Sequence, residues 1–510
     1  MTELFTLTLS DNNESVDFIG SIFKVKDGGF DIGTVEADRL LYKVRPGFFR
    51  LAQKERKFRK ATIDFSIHGA TRSSVLASLA KLERIITSIE DQTNLTRTTR
   101  GQLSYAFDGA TSKTYFEVYS AEIRQPSDLL SVRVAHAVDG SGYYIQDIQV
   151  TLYLSPVGYG LSIFTSILSS NELPIKNAST PTKTTGGINI GNFGNDSGYS
   201  SYIEVDDTDI PGGQPWVTAI SMRWTSSISY MHHVYFGRHV YPYPTTSHLI
   251  LSSEASGSSY LMQANTGTDF STRTYDTDAL DDYYLTRSFT YFPQGDLYYP
   301  ELYWILPSLF TTGRYLPFWV GFLGNVNFTA EFTRSFGIWQ YSDWGIEYVP
   351  EHITDILTSQ NHYRCAPLPI PPANPAVTTY GTPLKGGLWI GFAVAMGGAT
   401  SGTGTFDFDY GYLLPITDGL RVWNMRETPN PTTETIIDDN WQGKYYGVDT
   451  STNVWQSYIP SMTPISLSPA KDQRIYITTV GGVQTPQGYE RNVTAVARLY
   501  GVPTFETLAY

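Results

Sequence analysis

The sequence predicts a mainly β fold, with a first β-sandwich carrying one flanking helix and a larger β-sandwich region after it. Three observations predict it. Aromatic residues make up 14% of the 510, led by 36 Tyr, and 44 Gly with 28 Pro supply turn residues. Tyr and Trp suit half-buried pleated surfaces. Apolar and polar residues alternate in many short runs, the period-two signature of strands, and only one stretch has a helical period. Charged residues are 17% against a usual ~25%. So aromatic a chain buries enough apolar surface to offset its ordering entropy, which predicts a folded protein.

The elements follow in order. Leu4, Thr6, Leu7 and Leu9 open the chain with alternation, and Asp27-Gly28-Gly29 marks a turn. Residues 54–60, Lys-Glu-Arg-Lys-Phe-Arg-Lys, are the only dense basic run. Ile63, Phe65 and Ile67 then alternate with polar residues as a strand that Gly69 stops. A helix is predicted over 73–91, because Val75, Leu79, Leu82, Ile86 and Ile89 fall on one face. Thr71 or Ser73 caps its start, and Leu76 and Ile85 widen the stripe. Strands are expected at 103–107, 114–123, 129–138 and 143–154, completing a first domain over 1–157.

Residues 158–186 are rich in Gly, Ser, Asn, Thr and Pro and read as a linker. Short strands follow at 188–193, 201–205, 216–224, 316–322, 327–333, 387–396 and 404–414. They predict a second sandwich over 187–425, with a long insertion at 225–310. Residues 251–313 read as long loops, and residues 366–383, with five prolines from Pro367 to Pro375, as an extended connection. Further strands at 434–437, 442–447, 463–467, 473–479 and 492–500 form a C-terminal β extension over 426–510, whose sheet the sequence does not assign.

Charge and cysteine usage exclude several classes. A net charge of −13 weighs against specific nucleic-acid binding, which needs clustered Lys and Arg. The first 160 or so residues are near neutral, and the acidic excess lies beyond them. A single cysteine, Cys365, forbids an intrachain disulfide. Met1–Gly20 contains no Lys or Arg, unlike a signal peptide, and no run of about 18 apolar residues marks a membrane span. Synthesis and folding in a reducing cytoplasm are expected.

Candidate chemistry is sparse. No Gly-x-Ser-x-Gly elbow or Gly-rich phosphate loop is present, and Cys365 reads as a structural thiol. His232 and His233 would face opposite sides of a strand, and His239 and His248 follow no ligand spacing. Carboxylates cluster at Asp206-Asp207 with Asp209, at Asp278 with Asp281-Asp282, at Asp407 with Asp409, and at Asp438-Asp439. Paired acids can hydrolyse a glycoside, but acidic runs beside Gly and Pro read first as solvated turns. Asp407 and Asp409 share one strand face, which suits either Ca²⁺ or a plain polar face. Trp339, Tyr341 and Trp344 are the glycan-binding candidates, since flat rings stack on sugars, and Trp389 lies in a Gly-rich strand; packing in a core is the plainer role. No catalytic residue, metal ligand or cofactor is assigned, and the protein is not expected to be an enzyme.

Arg59-Lys60-Ala-Thr-Ile63-Asp-Phe65-Ser-Ile67-His-Gly69-Ala-Thr71, followed by the helix with Leu79, Leu82 and Ile86, resembles the ring-forming domain of siphophage and prophage distal tail proteins. That domain is a β-sandwich related to tail-tube proteins. Gly187–Ile190, Tyr202–Val205 and Asp209–Gly212 resemble the start of the jelly-roll domain in the family's long forms, and Phe406–Tyr410 with Leu413–Pro415 its closing strand. Ile437–Asp439, Gly443–Tyr445, Pro464–Leu467, Arg474–Tyr476 and Val496–Tyr500 fit the family's tail end. The resemblance implies a tail-tube-like first sandwich and a hexameric ring at the distal end of a phage tail, located in the virion. The implied partners are the tail tube, the baseplate hub, and receptor-binding proteins or a host surface glycan. The alternative reading is a glycan-binding, host-recognising sandwich, with a glycoside hydrolase ranked below both.

Overall fold

Alternating apolar residues fold the first part of the chain into a sheet around one helix. The computed structural model describes residues 4–45, 48–91, 100–107, 110, 112–124, 134–138, 140, 142–191, 202–226, 228, 230–243, 419–449, 453–455, 458–484, 490–491 and 494–506. Between 250 and 414 it describes strands, and there, as over 36–56, the backbone alone.

The first strands are β1 (Leu4–Ser10), β2 (Ser15–Asp17), β3 (Phe23–Asp31), β4 (Val35–Arg45) and β5 (Phe48–Gly69). Helix α1 (Arg72–Glu90) precedes β6 (Gly101–Phe107), β7 (Thr114–Arg124), β8 (Ala135–His136), β9 (Tyr143–Leu154) and β10 (Gly158–Tyr159). The sheet order is β2-β1-β6-β7-β9-β5-β3, with β4 beside β5 and β8 beside β9. Of the strand expected at 129–138, β8 is the described part.

The helix lies where its period predicts. Thr71 is the N-cap: its hydroxyl accepts from the Ser74 amide, and the Ser74 hydroxyl accepts from the Thr71 amide. Gly69 makes room for that cap, because a Cβ there would lie 2.4 Å from Ser74 Oγ. Val75, Leu79, Leu82, Ile85, Ile86 and Ile89 are buried among the strand side chains. Leu76 was expected to widen this face but is 40% exposed, since one residue's step turns it about 100° from Val75. At the far end, the Glu90 carboxylate accepts from Ser120 Oγ at 2.7 Å and the Ala121 amide at 2.6 Å. The helix is thereby pinned to β7.

The second sandwich begins with β11 (Ile188–Gly191), β12 (Tyr202–Val205), β13 (Trp216–Trp224) and β14 (Tyr230–Val240). An inserted stretch follows, with β15 (Ile250–Ser252), β16 (Gln263–Ala264), β17 (Thr272–Tyr275), β18 (Tyr283–Tyr291), β19 (Leu302–Ile305) and β20 (Phe318–Phe328). It continues through β21 (Phe332–Ser342), β22 (Gly345–Leu357), β23 (Leu368–Pro369), β24 (Leu388–Met396) and β25 (Gly402–Leu414). The chain ends with β26 (Gly419–Met425), β27 (Glu434–Asp439), β28 (Lys444–Asp449), β29 (Asn453–Trp455), β30 (Tyr458–Met462) and β31 (Ser466–Leu467). The last strands are β32 (Gln473–Gln484), β33 (Glu490–Arg491), β34 (Thr494–Val502) and β35 (Thr504–Phe505).

One sheet of this sandwich runs β11-β34-β13-β27-β28-β29, with β31 beside β13. The other runs β12-β32-β14-β26-β30. Ile220, Trp224 and Leu499 from the first face Val234, Trp423 and Ile477 from the second in one core. Residues 426–510 are therefore no appendage. The β34 strand pairs along β13 from Val217 opposite Val502 to Trp224 opposite Ala495.

The described strands between 250 and 414 form two further sheets, β17-β18-β25-β20-β23 with β15 beside β25, and β16-β19-β24-β21-β22. The loops expected over 251–313 thus contain strands. Their Ser, Thr and Asp hid the apolar alternation, while Thr and Tyr still favour the pleat. The strand around Phe406 and Tyr410, expected to close the second sandwich, pairs instead with β18 and β20 inside the insertion.

Candidate functional site at the junction of the sandwiches

The segment 158–186, expected to be a linker, is packed between the two sandwiches. Gly158 and Tyr159 pair with Phe505 and Thr504, so the chain's last strand joins the first sandwich's sheet. Tyr159 also lies opposite Tyr115 of β7, and the Gly160 amide donates to Pro503 at 2.9 Å. Ile163 and Ile167 share a small buried core with Ala219, Trp441, Tyr500 and Val502 of the second sandwich. The Gly- and Ser-rich composition serves tight turns here: Ser166 caps a short 3-10 turn through the Leu168 amide.

Arg59 closes the junction from the other side. It is 2% exposed, and its guanidinium donates at 2.6 Å to Gly33 O and at 2.6 Å to Glu506 O. Gly33 has φ +64°, and a Cβ there would meet the Lys60 carbonyl at 1.9 Å, so only glycine presents its carbonyl this way. Thr504 Oγ1 donates to Pro215 O at 2.7 Å, and Trp441 Nε1 to Thr165 O at 3.1 Å. The Tyr159 and Trp441 rings meet edge to face, with centroids 4.8 Å apart.

Beside this seam lies a cleft of about 710 Å³. Asn12, Arg100 and Glu117 line it from the first sandwich, Ile163 and Phe164 from the connecting segment, and Trp441 to Lys444 from the turn between β27 and β28. Arg100 is held in place: Nε donates to Glu117 at 3.1 Å, and its amide to Asn12 Oδ1 at 3.3 Å. Lys444 Nζ donates to Gln442 Oε1 at 2.9 Å. Burial pushes the Tyr159 phenol up, and nearby Tyr119 and Glu117 add to that. The cleft combines fixed charges with the half-exposed Phe164 ring, which suits a polar partner with some apolar surface.

Two charge networks brace the second sandwich. Arg421 grips Asp438 through Nε at 2.8 Å and Nη2 at 2.9 Å, and Trp423 Nε1 donates to the same carboxylate at 2.7 Å. Glu204 of β12 accepts from Arg474 Nε at 2.5 Å and from Lys176 Nζ at 2.9 Å. Lys176 also reaches Asp206 at 2.6 Å, and Lys183 bridges Asp206 and Asp209 at 3.0 and 2.7 Å. Tyr202 and Tyr243 rings flank the Arg474 guanidinium at 4.2 and 3.9 Å.

Of the carboxylate clusters, Asp206 and Asp209 are thus braced by lysines, and Asp438-Asp439 are buried in β27. Asp207–Asp209 do form an exposed 3-10 turn, as expected, whereas Asp438-Asp439 are not a solvated turn. Asp439 accepts from the Gln442 amide at 3.0 Å, and burial pushes its carboxyl up. Asp407 and Asp409 both lie in β25, and His232 and His233 in β14. His239 is buried, with Nε2 3.1 Å from Pro242 O. Cys365, His248, Asp278, Asp281, Asp282 and Trp344 lie outside the described residues. Among the described residues, no three His, Cys, Asp or Glu side chains gather to hold a metal ion, and no helix is long and apolar enough to cross a membrane.

Trp339 and Tyr341 sit two apart in β21, so they share a sheet face. Trp339 stands opposite Trp389 of β24 and Tyr348 of β22. The sequence gives no sign of this aromatic row, because register across strands decides it. The junction is hidden for the same reason: Gly158 and Tyr159 pair with Phe505 and Thr504, far along the chain.

No protein-family model and no curated protein matches the chain. Solved structures do match. One is a chain of the phage P2 baseplate in its activated conformation with calcium, 9% identical, covering 45% of this chain and 71% of that one, with a TM-score of 0.25. A second is the SPP1 Dit protein, described as a paradigm of the hub adsorption apparatus in phages infecting Gram-positive bacteria. It is 7% identical, covering 97% of this chain and 99% of that one, with a TM-score of 0.27. A third is a chain of the phage p2 baseplate in its activated conformation with strontium, 8% identical, covering 97% of each chain, with a TM-score of 0.27. The chain is similar to phage baseplate and Dit hub proteins.

Proposed function

We propose that the protein is a structural part of a phage tail tip. It forms a ring at the distal end of the tail tube and joins the tube to the baseplate hub and host-attachment parts. The observation that carries this reading is the run from Arg59 to Thr71. It forms the end of β5, the Gly69 turn and the Thr71 cap of α1, the order of elements in which the sequence resembles the ring-forming domain of distal tail proteins. The welded seam between the sandwiches supports it too, because a connector must transmit position and load between its two ends. The role is non-enzymatic.

Mass photometry with negative-stain microscopy of the full chain tests this. A closed ring is expected, since head-to-tail contacts between identical subunits either close or run on as filaments. A strict monomer at high concentration, with no ring on a tail-tube partner, would overturn it.

A second reading rests on the aromatic row of Tyr348, Trp339 and Trp389, which the register places across three strands. Such a row fits a host surface glycan stacked on the inserted sheet. Glycan-array binding that Trp339→Ala abolishes is the expected result, and no binding across host glycans would remove this reading.

A further inference from the structure

In the second sandwich, the sheet β12-β32-β14-β26-β30 is apolar on both faces. Val234, Phe236, Trp423, Ile475 and Ile477 belong to the core between the two sheets. Alternation turns Tyr235, Val422 and Tyr476 the other way, with Tyr202 and Leu420. Register sets these five in two adjacent rows. Tyr476 lies opposite Tyr202 and Gly237, Gly237 opposite Leu420, and Tyr235 opposite Val422. None of the five belongs to the core between the sheets, yet all are only 1% to 8% exposed. The outer face of an antiparallel sandwich sheet is ordinarily polar and wet. Something covers this one.

Three observations identify the cover as the insertion over 250–414. Arg238 of β14 lies opposite Gly419 of β26, so the insertion leaves and returns at adjacent points of this sheet, and its described strands pair only among themselves. The burial is graded from that point. The rows of Tyr476 and Tyr235 are buried, but in the following row Asn424 is opposite Ile459, which is 47% exposed. Finally, the stem of the insertion turns over this face. The centre of the Tyr243 ring is 3.9 Å from the Arg474 guanidinium and 6.3 Å from that of His239, and β25, the insertion's last strand, approaches β32.

We propose that the outer face of β12-β32-β14-β26 is the docking surface of the inserted domain, which packs against the Tyr476 and Tyr235 rows and is held in one orientation instead of swinging on its two connections. The insertion has apolar residues to offer: Phe406, Phe408, Tyr410 and Tyr412 alternate along β25. Gly237 sits between Tyr476 and Leu420 in the nearer row, and a strand glycine admits the close approach of another segment. A loosely tethered insertion would leave this apolar patch in water. A second copy of the chain is the competing occupant. The inference does not depend on the tail-tip reading.

Hydroxyl-radical footprinting of the full chain, read by mass spectrometry, tests this by comparing Tyr235 and Tyr476 with Tyr241, which is 66% exposed. The two face tyrosines should label at least about tenfold more slowly than Tyr241, at micromolar and nanomolar protein alike, because the cover is intramolecular. The variant L420K/V422K places two charges beneath the insertion. Tyr235 and Tyr476 should then label at least about fivefold faster, while Trp423, between the sheets, stays protected. If Trp423 becomes labelled as well, the neutral pair L420Q/V422T takes the place of the lysine variant with the same expectation. Face tyrosines that label as fast as Tyr241 in the wild type overturn the proposal. Protection that disappears on dilution assigns the face to a second copy and overturns it too. So does a variant in which Trp423 and both tyrosines all stay protected.

Discussion

Arg59 donates through Nη2 to the Glu506 carbonyl at 2.6 Å, across 447 positions of sequence. The same guanidinium holds the Gly33 carbonyl and lies 5.7 Å from the centre of the Phe116 ring. One buried cation therefore fixes the end of the chain to the first sandwich. Arg59→Met keeps the aliphatic bulk and strips two partly buried carbonyls of their charged donor. A loss of about 3 kcal/mol in urea unfolding of the full chain is expected. Arg59→Lys should recover less than half of it, because a single ammonium does not span both acceptors. An Arg59→Met midpoint equal to wild type would remove Arg59 from this role.

Ending the chain after Pro503 removes β35 and the Thr504 bond to Pro215. Amides at 158–160 should then exchange about tenfold faster or more, as local opening no longer breaks a strand pair. Protease should cut within 158–186, while α1 keeps its protection. Hydrogen exchange by mass spectrometry reads both regions together. Unchanged exchange at 158–160 would mean that β35 does not brace the seam.

Arg421 and Asp438 form a bidentate pair whose side chains are 4% and 1% exposed. Removing one partner leaves a buried charge without its counter-ion, so Asp438→Leu should cost about 3–5 kcal/mol. Replacing both, as in R421M/D438L, should cost clearly less than either single change, because no uncompensated charge remains. Denaturant unfolding of the two single variants and the double variant closes the cycle. Equal costs for the double and the singles would contradict a strongly coupled pair.

The sequence showed the local parts of this fold and hid its long-range parts. Val75, Leu79, Leu82, Ile86 and Ile89 revealed the helix because a 3.6-residue period is read within one segment. Ile63, Phe65 and Ile67 revealed β5 in the same way. Nothing local distinguishes Thr504 as a partner of Tyr159, or Trp389 as a neighbour of Trp339, since sheet register is set by pairing between distant segments. Composition misled at 158–186: Gly, Ser and Asn suit tight turns inside a packed seam as well as they suit a linker. It misled at Asp438 too, where an acidic pair beside a turn was read as solvated although Arg421 and Trp423 lie ready to hold it.

Acid should act through Asp206. Burial alone would raise its carboxyl, but the hydrogen bonds from Lys176 and Lys183 outweigh that and hold it below the usual 3.8. A carboxylate depressed in the folded state stabilises the protein above its unfolded value of about 3.9, and that stabilisation is lost as pH falls through the folded value. Asp206→Asn should therefore unfold at lower urea than wild type near pH 6. The gap should narrow below about pH 4 and close once the wild-type carboxyl is itself protonated. Lys176, whose ammonium is held charged chiefly by the Asp206 hydrogen bond, stays protonated throughout this window and does not change the sign. Urea midpoints of the two proteins across pH decide it, and a gap that stays constant down to the lowest pH would show that Asp206 contributes through shape rather than charge.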